Sequence, residues 1–130
     1  MPLLPAPIQG VPPSPSTGAT IVAYVIMSAD AWVPVLTYTP PQTGAYIVLV
    51  SLVVAGAPTA VQAYVQWTGP NGNLRTLWLA GRNGAWTLAP DDYSFLPASL
   101  TALGGEPITV YVWAGTANQV EVSGAIWAEV

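Results

Sequence analysis

PPQTGAYIVLVSLVVAG, Pro40 to Gly56, is a turn signal followed by the longest apolar run of the sequence. Pro40, Pro41 and Gly44 stop whatever precedes them, and from Tyr46 the residues are β-branched, aliphatic or aromatic almost without interruption, which suits a pleated surface. The stretch predicts a central strand. Tyr46, Val48, Val50, Leu52 and Val54 fall on one face and Ile47, Leu49, Ser51 and Val53 on the other, so neither side has much to offer water. The rival is a membrane helix, but the run falls short of the roughly 18 to 20 apolar residues a span needs and is interrupted by Ser51 and Gly56. No membrane partner is expected.

Working outward, Gly18–Met27 (GATIVAYVIM) and Ala31–Tyr38 (AWVPVLTY) precede this strand, separated by Ser28 to Asp30. Both read as strands, and Pro34, lacking a ladder donor, puts the second at a sheet edge or a bulge. Beyond it, Val61, Ala63, Val65 and Trp67 alternate with Gln62, Tyr64 and Gln66, the period of a strand with one wetter face. The segment TGPNGN (68–73) can supply the positive φ of a tight hairpin loop before Leu74–Ala80 returns. GRNG (81–84) turns again into Ala85–Ala89. Tyr93 to Leu103 reads as a stretch split by Pro97, and Ile108–Ala114 and Val120–Val130 close the chain as strands. Eight to ten short strands at this turn spacing, with no helical period, predict an all-β sandwich or barrel, with a jelly roll as the expected form. Its core is expected to include Tyr46, Val48, Leu52, Ile108, Val110, Val112 and Ile126.

The 130 residues are most simply one domain, large enough to bury a self-sufficient core. Residues 18–130 form the jelly-roll domain of this reading, and 1–17 (MPLLPAPIQGVPPSPST) an arm outside it. Six prolines in the arm fix φ and remove donors, so it is expected to be extended and polyproline-like. The alternative is a disordered tail, the common behaviour of proline-rich termini. Against it stand Leu3, Leu4, Ile8 and Val11, apolar residues that a solvated linker does not need; they are the candidate partner-binding residues. The opening residues have no basic region and no uninterrupted apolar core, so they do not read as a secretory signal.

Charge is scarce. Arg75 and Arg82 stand against Asp30, Asp91, Asp92, Glu106, Glu121 and Glu129; charged residues make up 6% of a chain that is 52% hydrophobic. Soluble domains carry about a quarter of their residues as charge, so much of this surface is expected to lie against neighbours, as in an obligate oligomer. With a net charge of −4 and two arginines, nothing can track a phosphate backbone, and no nucleic-acid partner is expected. Histidine, cysteine and lysine are all absent, which removes the usual general base, thiolate and metal ligands and leaves serine and threonine without an activator. The expectation is a protein that is not an enzyme, with no catalytic residue, cofactor or metal. Asp91-Asp92 has two readings, a calcium ligand pair or a loop whose carboxylates bond nearby amides; the second is favoured, because no further acid lies close by to complete a calcium loop. Of six tryptophans, Trp67, Trp78, Trp113 and Trp127 sit in strand patterns that packing explains, leaving Trp32 and Trp86 as the candidate exposed aromatic contacts.

Gly44-Ala45-Tyr46 opening the long strand, Leu103-Gly104-Gly105 ahead of Ile108 to Val112, and Val122-Ser123-Gly124-Ala125-Ile126 together resemble the jelly rolls related to tumour necrosis factor and the complement globular head. The resemblance covers about Gly18 to Val130 and implies a trimer. With the proline-rich arm, the chain is similar to the head-decoration (capsid cement) proteins of tailed bacteriophages. That similarity implies a homotrimer on the outer surface of a virion, bound to a lattice of major capsid protein. The alternatives are the receptor- or glycan-binding head of a phage tail fibre and a soluble trimeric ligand.

Overall fold

A computed structural model describes residues 18–82, 84–88 and 93–129, with the backbone alone described over 93–96. Nine strands run in order: β1 (Gly18–Val25), β2 (Ala31–Tyr38), β3 (Gly44–Val54), β4 (Thr59–Thr68), β5 (Leu74–Ala80), β6 (Trp86–Leu88), β7 (Tyr93–Ala102), β8 (Ile108–Ala114) and β9 (Val120–Ala128). They form two antiparallel sheets, β1-β9-β3-β7 and β2-β8-β4-β5, with β6 added beside β4. Most connections cross from one sheet to the other, while the β4–β5 hairpin stays within one. This is the jelly-roll winding.

The stretch from Pro40 to Gly56 is organised as its pattern requires. β3 lies between β9 and β7, paired along most of its length on both sides. Tyr46, Val48, Val50, Leu52 and Val54 are all buried, and face the buried Val61, Ala63 and Val65 of β4 and Ile108, Val110 and Val112 of β8 across the sandwich. All seven expected core residues are inside. The Tyr46 hydroxyl donates to the Gln42 carbonyl at 2.7 Å, and the Gly104 amide donates to Thr43 Oγ1 at 3.0 Å, so the turn before β3 is tied to the turn after β7. The two sheets are also joined at their rim: the Trp67 indole donates to the Thr101 carbonyl at 2.9 Å.

Turn chemistry follows the sequence. Gly72 takes φ 87° in the β4–β5 hairpin, where its amide donates to the Gly69 carbonyl. At Gly124 the requirement is steric. It pairs with Val50 on β3 and Ile21 on β1, and a Cβ there would collide with the Leu49 carbonyl oxygen.

The sheet edges differ in one respect from expectation. Pro97 does not split its stretch: β7 is continuous through it, because β7 is an edge strand where the missing N–H can face away from the ladder. Pro34 likewise sits on edge strand β2, with a register shift between it and Leu36. Register shifts also interrupt β1 between Ile21 and Tyr24 and the β4–β5 pairing between Ala63 and Tyr64. Both edges of both sheets therefore carry a proline or an irregularity, the usual protection against strand addition.

Candidate functional site

Because opposed residues on neighbouring strands project from one side, the registers arrange the outer side of the β2-β8-β4-β5 sheet into three rows running across the strands. In the first, Trp32, Trp113 and Gln62 lie abreast. The second holds Pro34, Tyr111, Tyr64 and Trp78, and the third Thr37, Thr109, Gln66 and Thr76.

The aromatic rings pack on one another. Tyr64 stacks on Tyr111 with centroids 5.0 Å apart and meets Trp78 at 5.2 Å, while Trp32 leans in from the first row to 4.8 Å from Tyr64 and 5.8 Å from Trp78. Tilted and offset contacts of this kind suit the quadrupoles of the rings. Burial among them, and the neighbouring Tyr111, push the Tyr64 phenol above its ordinary range, so it stays a neutral hydroxyl. The third row is polar: Thr37 and Thr109 hydroxyls lie 3.4 Å apart, and the Gln66 amide donates to Thr76 at 3.5 Å. Gln62 donates to the Gly81 carbonyl at 2.8 Å, which anchors its side chain. No charged residue occurs in these rows.

The opposite outer side, on β1-β9-β3-β7, is plainer. Ile47 lies beside Trp127, Leu49 beside Ala125, and Ser51 beside Ser123, with Pro97 and Ser99 across from Leu49 and Ile47 on β7. Ile47, Leu49 and Trp127 are half-buried. Glu121 and Glu129, both exposed, are the charged side chains among the described residues of this face, and they stand at its two ends, away from Leu49.

Trp32 and Trp86 are both exposed, at 39% and 44%, but the fold does not bring them together. Trp86 is opposed to Val61, which points into the core, whereas Trp32 stands in the row of Gln62 on the other side of the same sheet. Trp78 and Trp113, assigned to packing from their strand patterns, belong to the outer aromatic face. The alternation of Gln62, Tyr64 and Gln66 marked that face as the wetter one; only the register shows that Tyr111, Trp78 and Trp32 join it. Leu3, Leu4, Ile8, Val11 and Asp91-Asp92 lie outside the described residues. Among the described residues no group of three or more histidine, cysteine or acidic side chains is placed to hold a metal.

The fold places the chain in a structural class, the jelly-roll β-sandwich. No protein-family model and no curated protein matches the sequence. Solved structures do match by fold. A chain in the structure of infectious bursal disease virus, Gx strain, superimposes with a TM-score of 0.51 at 11% identity over 84% of this chain and 30% of that one. The VP2 subviral particle of the same virus gives a TM-score of 0.49 at 16% identity, over 84% of this chain and 31% of that one. The CBM22-1 xylan-binding domain of Paenibacillus barcinonensis Xyn10C gives 0.41 at 11% identity, over 88% and 87%. This chain thus spans about a third of the length of the viral chains it resembles.

Proposed function

We propose that the protein is a structural component of a virus particle, a decoration or cement protein that binds and stabilises the head lattice of a tailed bacteriophage as a trimer. The observation that carries the reading is the near absence of charge from both broad faces of the sandwich, in a chain with eight charged residues. Uncharged half-apolar faces of this extent belong against neighbours. The jelly roll shared with infectious bursal disease virus supports a role in a particle, and the trimer rests on the sequence resemblance to tumour necrosis factor-type heads. The β1-β9-β3-β7 face, centred on Leu49, is the contact between copies in this reading. The arm, through Leu3, Leu4, Ile8 and Val11, is the contact with the capsid. Extended polyproline of that length reaches about 50 Å at roughly 3.1 Å per residue, far enough to cross a neighbouring subunit, and three arms acting together multiply weak contacts. The role is architectural rather than catalytic, in keeping with a chain that has no histidine, cysteine or lysine.

The test is co-sedimentation with phage heads lacking the protein, using the full chain and a variant without Met1 to Ser16. The truncated protein is expected to remain a folded trimer and to stay in the supernatant. Capsid binding equal to that of the full chain would remove the arm from the mechanism, and no binding by the full chain would remove the decoration role.

A further inference from the structure

We propose that the ring cluster of Trp32, Tyr64, Trp78 and Tyr111 holds the chain's own proline-rich arm, with Pro12 and Pro13 seated in the furrows between the rings. The proposal concerns how the arm is held, and it stands whether or not the arm's tip meets a capsid.

The first support is where the described chain begins. Gly18 pairs with Trp127 near the end of β9, which lies beside the start of β3, so Gly18 shares the end of the sandwich at which β2 finishes with Tyr38. Its strand, β1, is an edge of one sheet and packs against β2, an edge of the other. The arm therefore starts at the corner beside the aromatic face. From that corner to the rings, the chain must cross about 10 Å between stacked sheets and run about 13 Å back along β2, from the level of Tyr38 to that of Pro34. Residues 12–17 cover about 20 Å when extended, enough to bring Pro12 and Pro13 over the rings, whereas Pro15 reaches only the β2 edge.

The second support is complementary chemistry. Trp32, Tyr64 and Trp78 meet one another at angles between 52° and 72°, so together they offer ridges and furrows rather than flat faces. Trp32 and Pro34 are exposed and the other rings half-buried, which leaves contact surface on the outer side. Aromatic-lined grooves of this kind are a general means of recognising proline-rich segments, whose extended form is already set. Polyproline makes no internal hydrogen bonds, and Pro12, Pro13 and Pro15 lack an N–H, so the carbonyls of this segment need outside donors. The indole N–H groups of Trp32 and Trp78 and the hydroxyls of Tyr64 and Tyr111 can supply them. Neither the three rows nor residues 1–17 contain a charged side chain, so no side-chain ion loses its hydration when they meet. The short tether at Gly18 favours the chain's own face, because it holds the prolines there at a roughly millimolar effective concentration.

The experiment uses the full chain. The protein has no cysteine, so Ser14→Cys gives a single site for a bimane label, a fluorophore quenched on contact with tryptophan. The label is expected to be quenched in the folded protein. Pro12→Gly with Pro13→Gly should detach the arm and lose the quenching, and because these positions lie outside the nine strands the domain stays folded. Trp32→Phe with Trp78→Phe keeps rings in place and should lose most of the quenching by removing the quenchers, while Trp86→Phe, on the other side of the sheet, should leave it unchanged. A label that is bright in the folded parent protein overturns the proposal, and so does quenching that the glycine pair leaves intact. Labelled chains carrying the phenylalanine pair, refolded with an excess of unlabelled parent protein, should stay bright. Quenching regained in that mixture would put one copy's arm on another copy's face and overturn the assignment to the chain's own arm. A bright label together with light scattering in which Trp32→Ala dissolves an oligomer would make the face a contact between copies instead.

Discussion

Val110→Ala and Val22→Ala remove the same two methyl groups from the same kind of strand, and the structure predicts that one variant is costly and the other is not. Val110 is fully buried on β8, with Leu36 and Val65 abreast of it on β2 and β4. Val22 is 88% exposed and sits in the irregular stretch of edge strand β1. Two buried carbons at about 0.8 kcal/mol each, with the cavity left behind, bring Val110→Ala to about 2 to 3 kcal/mol. At Val22 only the strand preference of valine is lost, at most about 0.5 kcal/mol. For a domain of this size each kcal/mol moves Tm by roughly 4 °C, so the two variants should melt about 6 to 12 °C apart. Thermal denaturation by circular dichroism at one fixed protein concentration measures the difference, and fixing the concentration keeps assembly from contributing to it. Equal shifts would mean that the faces of β8, and with them the registers of the β2-β8-β4-β5 sheet, have been assigned wrongly.

The remaining predictions concern assembly and pH. Leu49→Arg puts a charge at the centre of the proposed contact between copies, and light scattering should show a monomer with a melting curve near that of the parent protein; a parent protein that is already monomeric at micromolar concentration would defeat the trimer. No side chain of this protein has an ordinary pKa between about 5 and 9, so Tm should be flat across that interval. Burial raises the Tyr64 phenol above its ordinary value, as burial and Tyr46 raise that of Tyr38, so the folded state holds protons that the unfolded chain has released. Stability should therefore be full below about pH 10 and fall as pH climbs through the folded-state values. A Tm that rises above pH 10 would reverse the environment assigned to these two tyrosines.

The fold was legible because each part of its signal is local. The period-two burial of β3 and β4, the proline at the β2 edge and the Asn-Gly turn can each be read within a few residues, and they agree with one another. Pro97 was misread for the same reason: whether a proline breaks a strand depends on whether that strand has a neighbour on both sides, which is a property of the sheet and not of the segment. The aromatic face is a stronger case. Trp32, Tyr64, Trp78 and Tyr111 come from four strands, and it is the cross-strand register that sets them side by side. Trp32 and Trp86 were grouped as the candidate exposed aromatic contacts, yet the pairing of Trp86 with Val61 sends them to opposite sides.

The interrupted sheet edges bear on the ways in which copies of so apolar a chain can meet. Lysine is a common guard of strand edges, and this protein has none. Prolines and slipped registers interrupt the edges instead. Edge-to-edge pairing would extend in one dimension without limit and end in a fibre. With that direction closed, the broad sides are the surfaces left for a copy to meet, and whether such a contact closes is set by its symmetry. What the edges rule out is a fibre built by strand addition, and they do so before any partner is met.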